Sequence, residues 1–156
     1  MNATLSLVLA GHSELDALFE KHQRAILCRD LAGAAAILRT FATALGRHIA
    51  FEDEVLLPLY ASKGAEVEGG TLPIFHAEHR KLREMTGRLV LETEAADTSP
   101  DLLGAILRLL DDEALFKGLF AHHAMREENL LFPRLEACTT EAEKQKVAAN
   151  YAHFAN

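Results

Sequence analysis

Tryptophan is absent from these 156 residues and proline occurs four times. Scarce proline removes the commonest interruption of helices. The two cysteines, Cys28 and Cys138, have no CxxC spacing. They offer no disulfide framework and fit reduced, partly buried thiols in a cytoplasmic protein. No apolar run approaches the ~20 residues of a membrane span. The opening MNATLSLVLAGHSELDALF has no basic region and soon turns amphipathic, so neither a membrane helix nor a signal peptide is expected. Positive charge is also short, with 16 Lys and Arg against 23 Asp and Glu and a net charge of −7. No basic stripe remains to neutralise phosphates, which argues against nucleic acid as a partner.

What is present favours helix. Nearly half of the residues are hydrophobic (49%), and abundant Ala, Leu and Glu are good helix formers. The length suits one domain, 1–156. Four long amphipathic segments are expected, followed by a shorter one. The first runs from about Thr4 to Cys28, with a seam of Leu5, Val8, His12, Leu15, Phe19, His22 and Ile26. Asp30 stands where an N-cap belongs, and the second segment continues to about Tyr60. SKGAEVEGGT then forms a Gly-rich loop. A third segment from about Leu72 carries Phe75, His79, Leu82, Thr86 and Leu89 on its seam. ADTSP breaks it, and Ser99 followed by Pro100 predicts the cap and first position of a fourth helix. That helix keeps Leu102, Ile106, Leu109, Phe116, Phe120, His123 and Glu127 on one stripe, and the acidic run Asp111, Asp112 and Glu113 leaves a bend there open. TTEAEKQKVAANYAHF predicts a terminal helix. Long helices alternating with short connections imply an all-α, antiparallel up-down-up-down four-helix bundle with a short C-terminal helix.

Residues 48–58, HIAFEDEVLLP, then raise a physical problem. The apolar series Ala34, Leu38, Phe41 and Leu45 runs straight into His48 and Glu52 before resuming at Leu56 and Leu59. Steps of three and four make one buried stripe. A carboxylate in that stripe costs several kcal/mol unless something compensates it. The same phrase returns as HAMREENLLFP from His123, so that His123, Glu127 and Pro133 match His48, Glu52 and Pro58. The helices ahead also match loosely, GHSELDALF around His12 and EHRKLREMT around His79. In antiparallel neighbours rising ~1.5 Å per residue, all six polar side chains fall at one level of the core. Four imidazoles and two carboxylates satisfy one another poorly and satisfy metal ions well. Imidazole suits iron, zinc and copper, and a carboxylate can bridge two hard cations.

At this point the chain resembles the hemerythrin-like, HHE cation-binding family over His12 to Pro133. The resemblance implies a four-helix bundle holding two non-heme irons under an oxo or hydroxo bridge. Carried over by position, His12, His48, His79 and His123 would be terminal ligands, and Glu52 and Glu127 bridging carboxylates. Zinc and manganese stand behind iron. A ferritin-like di-iron bundle would need Glu-x-x-His, and no glutamate here has a histidine three positions on. The oxygen carriers of the family resemble this chain less well. They pair two histidines at i and i+4 in the third helix and end in His-x-x-x-x-Asp, whereas here stand His76 and His79, then Glu127. Glu128 lies five residues after His123 but off the seam. His76 is a further candidate metal ligand. Two octahedral ions offer about twelve positions and the bridged set fills roughly ten, so His76 would decide whether one opening or two remain.

The other polar residues invite structural readings. His22 lies ~15 Å along the axis from His12 and reads as polar core. His122 points away from the seam, and His153 is expected on the surface. Phe19, Phe41, Phe51, Phe75, Phe116 and Phe120 read as core packing, some of it around the metals. The runs EDE and DDE read as mostly solvated, with Glu54 a candidate to hydrogen-bond a ligand imidazole. The implied small ligand is dioxygen, nitric oxide or peroxide. The pattern leaves open a carrier or sensor, an enzyme of peroxide or nitric-oxide detoxification and iron handling, and a metal-stabilised regulatory module whose protein partner is unknown.

Overall fold

The computed structural model describes the backbone of residues 3–155 and the side chains of residues 10–152 and 154. The side chains of Leu5, Val8 and His153 lie outside these. Among the described residues no helix is long and apolar enough to cross a membrane, and no strand forms. Helices α1 (Ala3–Leu27) and α2 (Leu31–Phe51) make the first hairpin. Helices α4 (Leu72–Ala96) and α5 (Leu102–Arg126) make the second. Short helices α3 (Leu57–Ser62) and α6 (Phe132–Cys138) extend α2 and α5, and α7 (Glu141–Ala155) closes the chain. The expected all-α bundle is thus the one observed.

The turn into α2 follows from local chemistry. The Arg29 N–H donates to Ile26 O (2.8 Å) and the Asp30 N–H to Ala25 O (3.0 Å), and Arg29 takes φ 62°. This Schellman closure places a non-glycine residue in the left-handed position that glycine usually fills. Asp30 then caps α2 by accepting from the Gly33 N–H at 2.9 Å. The second hairpin repeats the device. Asp101 accepts from the Gly104 N–H at 3.0 Å and α5 starts at Leu102. The expected start at Ser99 and Pro100 is therefore corrected. Ser99 Oγ accepts from the Asp101 N–H (3.3 Å) and only turns the chain towards the true cap. A Cβ at Gly33 or Gly104 would lie within 2.1 Å of a capping carboxylate oxygen, so a larger residue in DLAG or DLLG would have to displace the capping side chain from its present position.

Each long helix of the repeat widens into one π turn, over Glu52–Leu56 and Glu127–Leu131. The Leu57 N–H reaches back five residues to Glu52 O, and the Phe132 N–H to Glu127 O. Pro58 and Pro133 follow immediately. Each lacks an N–H and would crowd the carbonyl four residues back, and the wider turn relieves that conflict while the helix continues. Both π turns open on the glutamates of the repeat.

Apolar packing surrounds this level from both ends. Leu15, Phe19, Phe41, Leu45, Leu82 and Phe116 belong to a cluster on one side. Phe51, Leu57, Tyr60, Phe75, Leu131 and Phe132 belong to another. His48 lies on α2 between the two. Helix α7 covers the second cluster, with Tyr151 and Phe154 edge-on to Phe51 at 5.1 and 5.8 Å between ring centroids. A reciprocal capping box starts α7: Thr140 N–H donates to Glu143 (2.8 Å) and Glu143 N–H to Thr140 Oγ1 (3.3 Å).

Candidate metal centre

His12, His48, Glu52, His79, His123 and Glu127 are all buried, with both glutamates fully so. Their donor atoms fall into two groups, each spanning no more than 4.8 Å. One is His12, His48, Glu52 and Glu127; the other is His79, His123, Glu52 and Glu127. Each hairpin supplies both histidines of one group, and each glutamate belongs to both.

The contacts repeat that division atom by atom. Glu52 turns Oε1 to His48 Nε2 (2.8 Å) and Oε2 to His79 Nε2 (3.3 Å). Glu127 turns Oε1 to His123 Nε2 (3.3 Å) and Oε2 to His12 Nε2 (3.1 Å). Both carboxylates therefore face one histidine of each hairpin. The approaches are short, yet none has hydrogen-bond geometry. All four Nε2 atoms and all four carboxylate oxygens are buried without a hydrogen-bond partner. Native cores rarely leave such atoms orphaned. Eight donors that converge and do not bond one another have the chemistry of a cation site, and the imidazole and carboxylate set suits iron, zinc or manganese.

Charge in the cluster is mutually compensated. Burial disfavours the ionised form of Glu52, but His48, His79 and His123 outweigh it and hold the carboxyl well below its ordinary range. Burial and the Glu52 charge both oppose ionisation of Glu127, and His123 and His12 still hold it low. Burial pulls His79 down, whereas hydrogen bonding to Asp53 and the proximity of Glu52 push it up to about 9. His123 is raised against its burial to about 10 by Glu127, Glu78 and Glu52. His48 is raised too, Glu52 overcoming burial.

A layer of acids missed by sequence reasoning stands behind two of the histidines. Asp53 Oδ1 accepts from His79 Nδ1 at 2.7 Å, and Glu78 Oε2 accepts from His123 Nδ1 at 3.0 Å. Each acid adjoins one site residue in sequence but holds a histidine on the next helix. Arg83 approaches Asp53 at 3.4 Å. Arg126 donates to Glu78 at 3.0 Å and also to Gly69 O. Glu54, expected in this role, is exposed. His76 is not brought into either buried group. Its side chain is half exposed, with Nδ1 3.1 Å from Asp53 Oδ1. His122 is exposed. Phe120 lies edge-on to His12 (6.0 Å) and Phe75 to His123 (6.5 Å). These rings pack against one histidine of each hairpin.

His22, a fifth buried histidine, is polar core as expected, and its partner corrects another expectation. Its partner is Glu113, fully buried, at 2.8 Å, so the run DDE is not wholly solvated. α5 runs through this stretch as one helix.

Residues 4–135 match the family model described as Hemerythrin HHE cation binding domain, and residues 70–153 match it again. The second match opens where the second hairpin opens. No curated protein and no solved structure gives a significant match.

Proposed function

The chain belongs to the hemerythrin HHE cation-binding domain family, and from that premise we propose a non-heme di-iron protein that binds or reacts with dioxygen, nitric oxide or peroxide. His12 and His48 would hold one ion, His79 and His123 the other, and Glu52 and Glu127 would bridge them under an oxo or hydroxo group. The observation carrying this reading is the sharing of both glutamates between two groups of otherwise unpartnered donors. When bound, two redox-active irons supply electrons and open positions to a small ligand.

The chain's own residues shape what can happen there. Four imidazoles and four carboxylate oxygens, with one bridging oxygen, fill about ten of roughly twelve positions. His76 is occupied with Asp53 at the half-exposed edge of the site. Without it as a ligand about one position per ion stays open. That count favours oxidation, peroxide or nitric-oxide chemistry over a strictly reversible one-ended carrier. Phe75 and Phe120 keep the surroundings dry, which tunes potential and restrains access by water.

Iron analysis together with optical spectra under air, nitrogen and nitric oxide tests the reading. Expected are about two irons per chain, near-ultraviolet oxo-to-iron absorption under air and a new band with nitric oxide after reduction. His48→Ala should lose most of this absorption. An unchanged spectrum in that variant, or an iron-loaded protein whose spectrum under air and under nitric oxide is the same as under nitrogen, would sink the proposal.

A further inference from the structure

The two cation positions are matched in ligand type but not in support. We propose that the position of His79 and His123 binds its ion more tightly, and that the position of His12 and His48 fills last and empties first. This rests on the dinuclear reading above. An imidazole that coordinates through Nε2 carries its proton on Nδ1. A carboxylate accepting that proton makes the ring a stronger ligand and fixes its rotation.

His79 and His123 have that support. Their Nδ1 atoms donate to Asp53 and Glu78 at 2.7 and 3.0 Å, and both acids are themselves approached by arginines. Among the described residues the first hairpin shows no counterpart. Among the described residues His12 Nδ1 is buried without a partner, and no carboxylate accepts from His48 Nδ1. His48 instead borders a cavity of about 120 Å³ walled in part by Leu15, Phe51, Tyr151 and Phe154. Gly11 keeps this space open, because a Cβ there would lie 2.9 Å from the Tyr151 hydroxyl and 3.1 Å from His48 Nδ1. One pair of rings is therefore braced by charge, while in the other pair His12 Nδ1 has no partner and His48 borders an open pocket. The asymmetry is invisible in the ligands themselves.

Titration of the metal-free protein with cobalt(II) against a chelator, followed by visible d–d absorption, separates the two steps. The native chain should take up two ions with affinities at least tenfold apart. Asp53→Ala and Glu78→Ala should each weaken the tighter step by about ten- to a hundredfold and leave the weaker step in place. Asp53→Asn keeps an acceptor oxygen and should recover part of the loss. His48→Ala should abolish the weaker step alone, whereas His79→Ala should abolish the tighter one. Helicity measured on each variant distinguishes a lost fold from a lost ligand, and the two acids provide independent trials. Two equal steps, or Asp53→Ala weakening both alike, would overturn the inequality while the dinuclear reading stands. Uptake of only one ion by the native chain would remove that reading itself.

Discussion

The core holds two kinds of buried histidine and glutamate. At the distal level His22 donates through Nδ1 to Ala34 O (2.9 Å) and meets Glu113 through Nε2 (2.8 Å), while Gln23 donates to the other Glu113 oxygen at 2.8 Å. Every polar atom of that pair is engaged. At the other level six residues of the same chemistry converge with their Nε2 and carboxylate atoms unbonded. A buried His–Glu pair is thus no sign of a metal site. The sign is a set of buried donors that approach within 2.8–3.3 Å and still form no hydrogen bond. One level is finished by the chain alone, and the other is built for something added.

The largest effect that could break this contrast lies at the finished pair. Glu113→Ala strands His22 in the core and is expected to cost about 3–5 kcal/mol. Replacing both residues by leucine should recover most of that loss, and neither change should alter metal uptake. Urea unfolding with parallel metal analysis measures both. Metal loss in Glu113→Ala without unfolding would mean that the two levels are not separate.

A second effect depends on pH and has opposite senses with and without metal. In the metal-free chain His79 and His123 are raised from 6.5 to about 9 and about 10. Their stabilisation is full below the unfolded value and is lost as pH rises through the folded ones. Metal-free protein should therefore lose stability between pH 7 and 10. The loaded chain should not, because its imidazoles are neutral ligands. Its metal affinity should instead fall as pH drops and protons compete for nitrogen. Unfolding curves at pH 7 and 10, with and without metal, would reveal a shared trend if the cations do not occupy these nitrogens.

The smallest effect concerns the far end of α5. Asp101→Ala removes an N-cap and should cost about 1 kcal/mol without changing metal content. Thermal melting with metal analysis checks it, and metal loss would show that the site depends on helix ends remote from it.

The bundle and the six clustered residues were legible because one signal was written twice. His-x-x-x-Glu and a trailing proline recur on seams that also place their partners at the same level. What escaped depended on geometry that spacing does not encode. Pro58 and Pro133 marked the motif, but a widened turn that lets the helix run on is a backbone compromise, not a residue pattern. Asp53 and Glu78 reach histidines on neighbouring helices, which is settled by helix rotation. Two misses were readable. Leu109, Glu113, Phe116 and Phe120 keep steps of four and three, so Glu113 already lay on the buried stripe despite its acidic neighbours. DLLG echoes DLAG, which would have moved the α5 cap from Ser99 to Asp101.

The central claim is that Glu52 and Glu127 are each shared by two cations. The most direct measurement counts ions bound per chain in the native protein and in the variant carrying Glu52→Gln with Glu127→Gln, both titrated from the metal-free state. Two ions in the native chain and loss of the paired centre in the variant are predicted. A single ion in the native protein, or two retained after both substitutions, would contradict the account.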